Sequence, residues 1–487
     1  MVYLQYNPGK TGKNKVEEIK MNTVEQIKLF MEPRSVALVG VSSRTGMHSF
    51  NILENILDLG YRGNVYPINP NTSTILGRKT YSSIKKIDAD VDLAVVSTPR
   101  SQSPGIIEEC IKKGIKAIII VGQGFADASD EEGKQLQENI IRMIRNTETR
   151  IIGPNTIGVS NPFVDFSTSF AKQSEIKRLP IGVISQTGMF SGSFPDLNLL
   201  GKGIDLGNAC DLDFADCLEY FEYDQDTKII FLHIEGIKNG RRFIEVARRV
   251  AKKKPILALK TGVSPRSAKV AQSHTGSMIG KNEIWEGVLK QCGIIRIGDF
   301  DEIGDLIKAF SHLPLMKGRS IAIISLSGGI GLMAMDACEE YQLNIPELSP
   351  ETREKIISIS PEWHTINNPV DIWPAMGISR RPFGEVLRTT IEAVLTDKRI
   401  DAVLLIVGAW FESISPPFSE IVLEVANKFK DKPIAWAPYE GWLYKITARE
   451  IEDKIKKHGK VAVFSSPKRA LRALSKLADY SAFQRGE

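Results

Sequence analysis

The feature that most constrains this chain is a repeated alternation of short apolar runs with segments of helical spacing. Runs rich in Val and Ile stand at Ser35–Val39, Asn64–Ile68, Leu93–Val96 and Ala117–Val121, with helix-spaced stretches at Ile52–Leu59 and Gly105–Lys113 between them. Strands that are apolar along their whole length are covered on both faces, which calls for a parallel sheet packed between helices. Residues 26–150 therefore read as a Rossmann-like α/β domain. Ile152-Gly153-Pro154-Asn155 reads as a punctuated linker. A second α/β set follows at Ile181–Ser185, Ile229–Ile234 and Ile256–Lys260. A third, beyond the separator Leu313–Gly318, lies at Ile321–Ser325, Ala402–Val407 and Pro433–Ala437. A chain of 487 residues exceeds one core, and the expected division is 26–150, 151–315 and 316–487. The polar, Lys-rich residues 1–25 are expected to form a flexible extension.

The second and third sets look like repeats. Ile181-Gly182-Val183-Ile184-Ser185-Gln186-Thr187-Gly188 aligns with Ile321-Ala322-Ile323-Ile324-Ser325-Leu326-Ser327-Gly328. Each is a buried strand running into a small-residue turn and then a helix; generic strand–turn–helix similarity is the bland alternative. As functional elements, Gln186-Thr187-Gly188 and Ser327-Gly328-Gly329 would present backbone N–H groups to one anion.

The other function classes narrow quickly. Lys and Arg exceed Asp and Glu by 63 to 58, a net charge of +5. That excess is spread out and does not call for nucleic acid, though it suits a phosphorylated small molecule. Cys110, Cys210, Cys217, Cys292 and Cys338 form no CxxC pair and no zinc cluster. The expectation is a reduced cytoplasmic protein without a metal site of its own. No apolar run approaches the ~20 residues needed to span a bilayer, and no signal peptide is expected. Gly9-Lys10-Thr11 is not a phosphate loop, because the Gly required five residues earlier is Leu4.

The first strand runs into Gly40-Val41-Ser42-Ser43-Arg44-Thr45-Gly46 ahead of a helix, a place where glycine lets a phosphate approach the backbone. The spacing is not GxGxxG. Asn69 and Pro70 end the second strand where a ribose-binding acid would stand, which argues against NAD and leaves another nucleotide-bearing ligand open. His274, in the polar loop Ser273-His274-Thr275-Gly276, is a candidate phosphoryl acceptor. One imidazole nitrogen would attack while a hydrogen-bond acceptor fixes the other. Glu235, at the end of the run Ile229–Ile234, is the candidate acceptor.

Taken in order, these motifs resemble the α subunit of the ADP-forming acetyl-CoA synthetases, relatives of succinyl-CoA synthetase, from about residue 26 to the C-terminus. The likeness rests on Pro33-Arg34-Ser35, Tyr66-Pro67-Ile68-Asn69-Pro70, Gly153-Pro154-Asn155, Ile184-Ser185-Gln186-Thr187-Gly188, Gly207-Asn208 with Asp211 and Asp213, Ser273-His274-Thr275-Gly276, and Asn368-Pro369-Val370-Asp371. The resemblance implies a CoA-binding first domain and two flavodoxin-like domains. It implies CoA contacts from Gly40, Ser42, Ser43, Thr45, Gly46, Asn69, Pro70, Arg78, Thr98, Pro99 and Gln123. It also implies that His274, oriented by Glu235, carries a phosphoryl group between acyl phosphate and ADP. The phosphate turns would be Gln186, Thr187, Gly188 and Ser327, Gly328, Gly329. ATP, ADP and Mg2+ would belong to a separate ATP-grasp β subunit in a heterotetramer. The chain departs from the family pattern at Ser49, at Asn71 (with Arg78 or Lys79 as replacement cation), at Thr98-Pro99-Arg100 and at Ala209. The acyl pocket is expected near Met189, Phe190 and Gly192. Retention of His274 and Glu235 favours an active enzyme over a CoA- or acyl-CoA-sensing protein on the same scaffold.

Overall fold

The structure, a computed structural model, describes residues 22–46, 49, 51–128, 130–170, 178–192, 201–264, 266–267, 282–379, 381–440, 447–455 and 460–487. Three sheets with parallel five-strand sets carry the fold, and all three share one strand order. The first runs Asn64–Ile68, Ser35–Val39, Leu93–Val96, Ala117–Ile120, Arg150–Ile152. In the second, the parallel strands run Lys202–Asp205, Ile181–Ser185, Ile229–Ile234, Ile256–Lys260, Ile295–Ile297, and two short antiparallel strands extend the Lys202–Asp205 edge. The third runs Val370–Asp371, Ile321–Ser325, Ala402–Ile406, Ile434–Trp436, Val461–Val463. Numbered by chain position within each parallel set, the order is 2-1-3-4-5. Connections leave the first and third strands towards opposite faces, so a crevice opens past their carboxyl ends. That topology, more than any motif, sets where ligands can sit.

The expected α/β class and parallel sheets are present, and the first strand of each sheet is buried at all five positions. The N-terminal expectation needs correction. A helix, Thr23–Met31, starts inside the segment read as flexible, with Asn22 Oδ1 accepting from Val24 N at 3.0 Å. It is held because Ile27, Phe30 and Met31 are fully buried and Gln26 Nε2 donates to the carbonyls of Lys116 and Glu148 at 2.8 and 3.0 Å. Residues 1–21 lie outside the described residues.

The sheets are not independent bodies. Gly153-Pro154-Asn155 and Gly207-Asn208 interlock at the joint between the first two: Asn208 N donates to Pro154 O at 2.9 Å, and Cys210 N to Gly153 O at 3.0 Å. Asn208 Nδ2 reaches Asp127 and Gln137 of the first unit at 2.8 and 3.1 Å. Asp211 accepts from Ile151 N and Arg150 Nε at 2.8 and 2.9 Å. Leu313 and Met316, in the expected separator, belong to a continuous apolar core that contains Val183 and Phe231 of the second sheet and Ile323 and Leu404 of the third. The last helix, Pro467–Arg485, crosses back, with Tyr480 Oη donating to Ala251 O at 2.9 Å. A shared core of this kind fixes the second and third sheets relative to one another.

Candidate functional site

In the first sheet the crevice lies between the loop after Ser35–Val39 and the turn after Leu93–Val96. Gly40 has φ +82°, and a Cβ there would stand 2.7 Å from Ser97 O, so only glycine lets the two loops meet so closely. Asn69 joins this crossing by hydrogen bonds rather than by an exposed polar group: Nδ2 donates to Val41 O at 3.0 Å and Oδ1 accepts from Asn71 N at 2.9 Å. Asn69, Pro70, Thr72, Thr80 and Ser82 line a cavity of about 400 Å3. Ser43, Thr45, Arg78, Pro99 and Gln123 are exposed around this face, and Ser42 is half-buried. Thr98 Oγ1 is buried without a hydrogen-bond partner among the described residues. A close-approach glycine, an orphaned hydroxyl and a polar cavity are features that fit a long, phosphorylated ligand.

One part of the expected cradle is already occupied. Gly46 N donates to both carboxylate oxygens of Glu54, at 2.9 and 3.1 Å, and Asn51 Oδ1 caps Leu53 N at 3.0 Å. The helix start is therefore satisfied by side chains from its own first turn, and Gly46 is not an open anion donor. Arg100, one of the departures from the expected pattern, is likewise committed. It binds Gly124 O at 2.6 Å, Asp130 at 2.8 Å and Glu132 at 2.7 Å.

The second site lies at the corresponding crevice of the middle sheet, where Ser185 and Ile234 end neighbouring strands. The Gln186 side chain does not point out as a phosphate ligand through its oxygen. Oε1 accepts from Glu235 N at 2.7 Å and Gly236 N at 3.0 Å, an arrangement that settles which end of the amide is oxygen. Gln186 thus ties the turn expected to bind phosphate to the turn that carries Glu235. Gly188 packs on Ile157, where a Cβ would lie 2.7 Å from Ile157 Cγ2. Ile157 N in turn donates to the fully buried Asp205 carboxylate at 2.9 Å. Burial, with Glu235 adding a smaller push, raises Asp205 to about 6. Phe190 is buried against Phe231 and His233, with ring centroids 5.2 and 4.9 Å away, so it is a core residue; Met189 is the exposed one. His274 and its Ser-His-Thr-Gly loop lie outside the described residues.

In the third sheet the repeat holds at atomic detail. Ser185 Oγ donates to Thr187 O at 2.8 Å, and Ser325 Oγ to Ser327 O at 2.9 Å. The two turns diverge at their donors. Gly328 N donates to Asp371 Oδ2 at 2.9 Å, so this expected phosphate donor is taken by a carboxylate from the Asn368-Pro369-Val370-Asp371 motif. Gly329 follows it in the first turn of the helix Gly328–Glu340.

Three family models match in chain order: "CoA binding domain" over residues 34–162, "Succinyl-CoA ligase like flavodoxin domain" over 179–310, and "Ligase-CoA domain" over 321–470. The alpha subunit of acetate–CoA ligase (ADP-forming) I from Pyrococcus furiosus is 33% identical over 93% of this chain and 98% of its own length. This chain belongs to the ADP-forming acyl-CoA ligase family. Acetate–CoA ligase (ADP-forming) II from Archaeoglobus fulgidus is 38% identical over 80% of the chain, which spans only 58% of that relative's length. The solved structure of the Ca. Korarchaeum cryptofilum dinucleotide-forming acetyl-coenzyme A synthetase 1, in complex with phosphate and ADP, aligns with a TM-score of 0.82 at 27% identity, over 95% of this chain and 98% of that one. No helix among the described residues is long and apolar enough to cross a membrane.

Asp205 and Lys260, both close enough to Glu235 to feel its charge, were not singled out by the sequence, nor was His233, two residues before it. His233 is the last residue but one of the strand Ile229–Ile234, is 4% exposed, and shares a 3.2 Å hydrogen bond between Nε2 and Thr261 Oγ1. Burial, then the nearby Lys260 charge, pushes it down to about 4, so its ring is neutral at physiological pH. Lys260 closes the otherwise apolar strand Ile256–Lys260, and Asp205 ends the buried strand Lys202–Asp205. A charge at the carboxyl end of a buried strand was the available signal.

Proposed function

We propose that this chain is the CoA-binding, phosphohistidine-carrying part of an ADP-forming acyl-CoA synthetase. It would interconvert acid, CoA and ATP with acyl-CoA, ADP and phosphate. The observation that supports the reading is the Gln186 bridge, which ties Glu235 to the turn proposed to bind phosphate, at the crevice of the middle sheet. In the direction of ATP synthesis, phosphate displaces CoA from acyl-CoA to give acyl phosphate and free CoA. His274 takes the phosphoryl group, releasing the acid, and then passes it to ADP. Glu235 accepts the hydrogen bond of the non-attacking ring nitrogen, fixes the tautomer and stabilises the positive charge that develops on the ring. Gly40, Ser42, Ser43, Thr45, Asn69, Pro70, Arg78, Thr98, Pro99 and Gln123 would hold CoA, whose thiol supplies the acyl acceptor.

The nucleotide, with Mg2+, would bind an ATP-grasp β subunit in a heterotetramer. The alignment with almost the whole of a P. furiosus alpha subunit supports a separate partner. Calorimetry and turnover on the chain alone test this. CoA should bind, with no acyl-CoA made from ATP until the partner is added; turnover by the isolated chain would refute the subunit assignment.

The two repeat turns are proposed to converge on one phosphate. Phe190, just past Gly188, lies in the same apolar core that Ile330, just past Gly329, packs against, which supports a common face. A phosphate-bound structure should place the Gly188 and Gly329 nitrogens across one anion. Turns on opposite sides of the molecule would reduce the repeat to an echo of fold.

A further inference from the structure

We propose that Lys260 is a positioning residue for Glu235: with Gln186 it clamps the Glu235 main chain from both neighbouring strands and so fixes the turn that carries the carboxylate. This inference rests on the role given to Glu235 above. The geometry is specific. Glu235 lies one residue past the end of its strand, where the backbone has left the sheet ladder and needs other partners. Its N–H goes to Gln186 Oε1 at 2.7 Å, from the strand on one side. Its carbonyl accepts from Lys260 Nζ at 3.0 Å, from the strand on the other. Lys260 also donates to Thr261 O, and its ammonium sits 5.1 Å from the centre of the Trp285 ring.

A neutral side chain could satisfy two carbonyls, so the charge needs its own explanation. Lys260 is only 5% exposed, and burial pushes its ammonium from 10.5 down to about 8. A cation that its surroundings penalise in this way is a poor choice for stability alone. The charged groups facing it are few among the described residues. Glu235 favours the cation; Arg296, on the adjoining strand, opposes it. Arg296 is itself paired with Glu286 at 2.7 Å. His233 is held neutral, partly by Lys260. The positive charge therefore acts chiefly on Glu235. That charge strengthens the hydrogen bond to the Glu235 carbonyl, which prevents the turn from rotating.

The sign of the pH effect follows. Lys260 carries its charge below about 8 and loses it as the pH rises through that value. Phosphorylation of His274 should therefore slow on the alkaline side at about that pH. The experiment uses the full complex with ATP and Mg2+, measuring acid-labile phosphate on the His274 peptide from pH 6 to 10, normalised to CoA-binding-competent protein. Lys260→Met is expected to slow labelling by about 10- to 100-fold, the scale of a misplaced catalytic group. Lys260→Arg should recover to within about threefold and move the alkaline limb upward, because guanidinium stays charged. Labelling in Lys260→Met within about twofold of the parent, with the limb retained, overturns the proposal. If Lys260→Met does not fold, an unmoved limb in Lys260→Arg overturns it instead. Absence of any label on His274 in the parent complex is a different result; it overturns the functional reading, and this inference with it.

Discussion

Replacing His274 with Asn in the assembled enzyme is expected to abolish phosphoryl transfer to this chain and to reduce ligase turnover by on the order of 10⁴-fold or more. Asn offers a side chain of comparable polarity but no nitrogen lone pair able to hold a phosphoryl group. The neighbouring imidazole cannot substitute. His233 is buried beneath Phe190, and its Nε2 is engaged with Thr261. Its depressed basicity, about 4, also makes it a weak nucleophile. The check is peptide mapping after incubation with ATP and Mg2+: one acid-labile phosphopeptide containing His274 in the parent, none in the variant. Full turnover by His274→Asn would discard the phosphohistidine mechanism.

Glu235→Gln is expected to slow phosphohistidine formation by ~10²–10⁴-fold while leaving CoA affinity within about twofold. The structure makes this substitution unusually clean. Gln186 and Lys260 grip the main chain of residue 235, not its side chain, so the turn keeps its hydrogen bonds when the carboxylate becomes an amide. What is lost is the negative charge opposite the developing imidazolium. The CoA crevice belongs to another sheet and should not register the change. A further consequence is measurable: without Glu235 to favour it, the Lys260 ammonium loses its proton more readily, so the residual activity should decline at lower pH than in the parent. Equal losses of CoA binding and phosphorylation would indicate a disrupted domain rather than a missing charge.

These expectations draw on different depths of information. Strand positions were legible because a buried parallel strand is apolar at every residue, a property local to five or six positions; Ser35–Val39, Ile181–Ser185 and Ile321–Ser325 all form where their composition implies. The repeat was legible for the same reason, and its Ser185 and Ser325 hydroxyls make the same local contact two residues on. The start of the first helix was hidden because the polar residues before Thr23 mask Asn22 as a cap, and the helix is held by burial and by carbonyls far along the chain.

By itself, then, the amino-acid sequence determined the α/β class, the run of three strand sets, and the motifs that mark this family. Tertiary structure alone decided which groups in those motifs remain available for chemistry. Gly46 and Gly328 look like equal candidates for anion binding, yet their N–H groups are spent on Glu54, eight residues away, and on Asp371, 43 residues away. Gln186 reads as part of a phosphate turn, but strand pairing brings it to Glu235, and pairing on the other side brings Lys260 to the same peptide. The physical reason is that periodicity records burial along a single element, whereas the state of a donor depends on whichever acceptor folding brings within about 3 Å. In a parallel sheet that partner comes from a neighbouring strand, separated in sequence by a whole crossover.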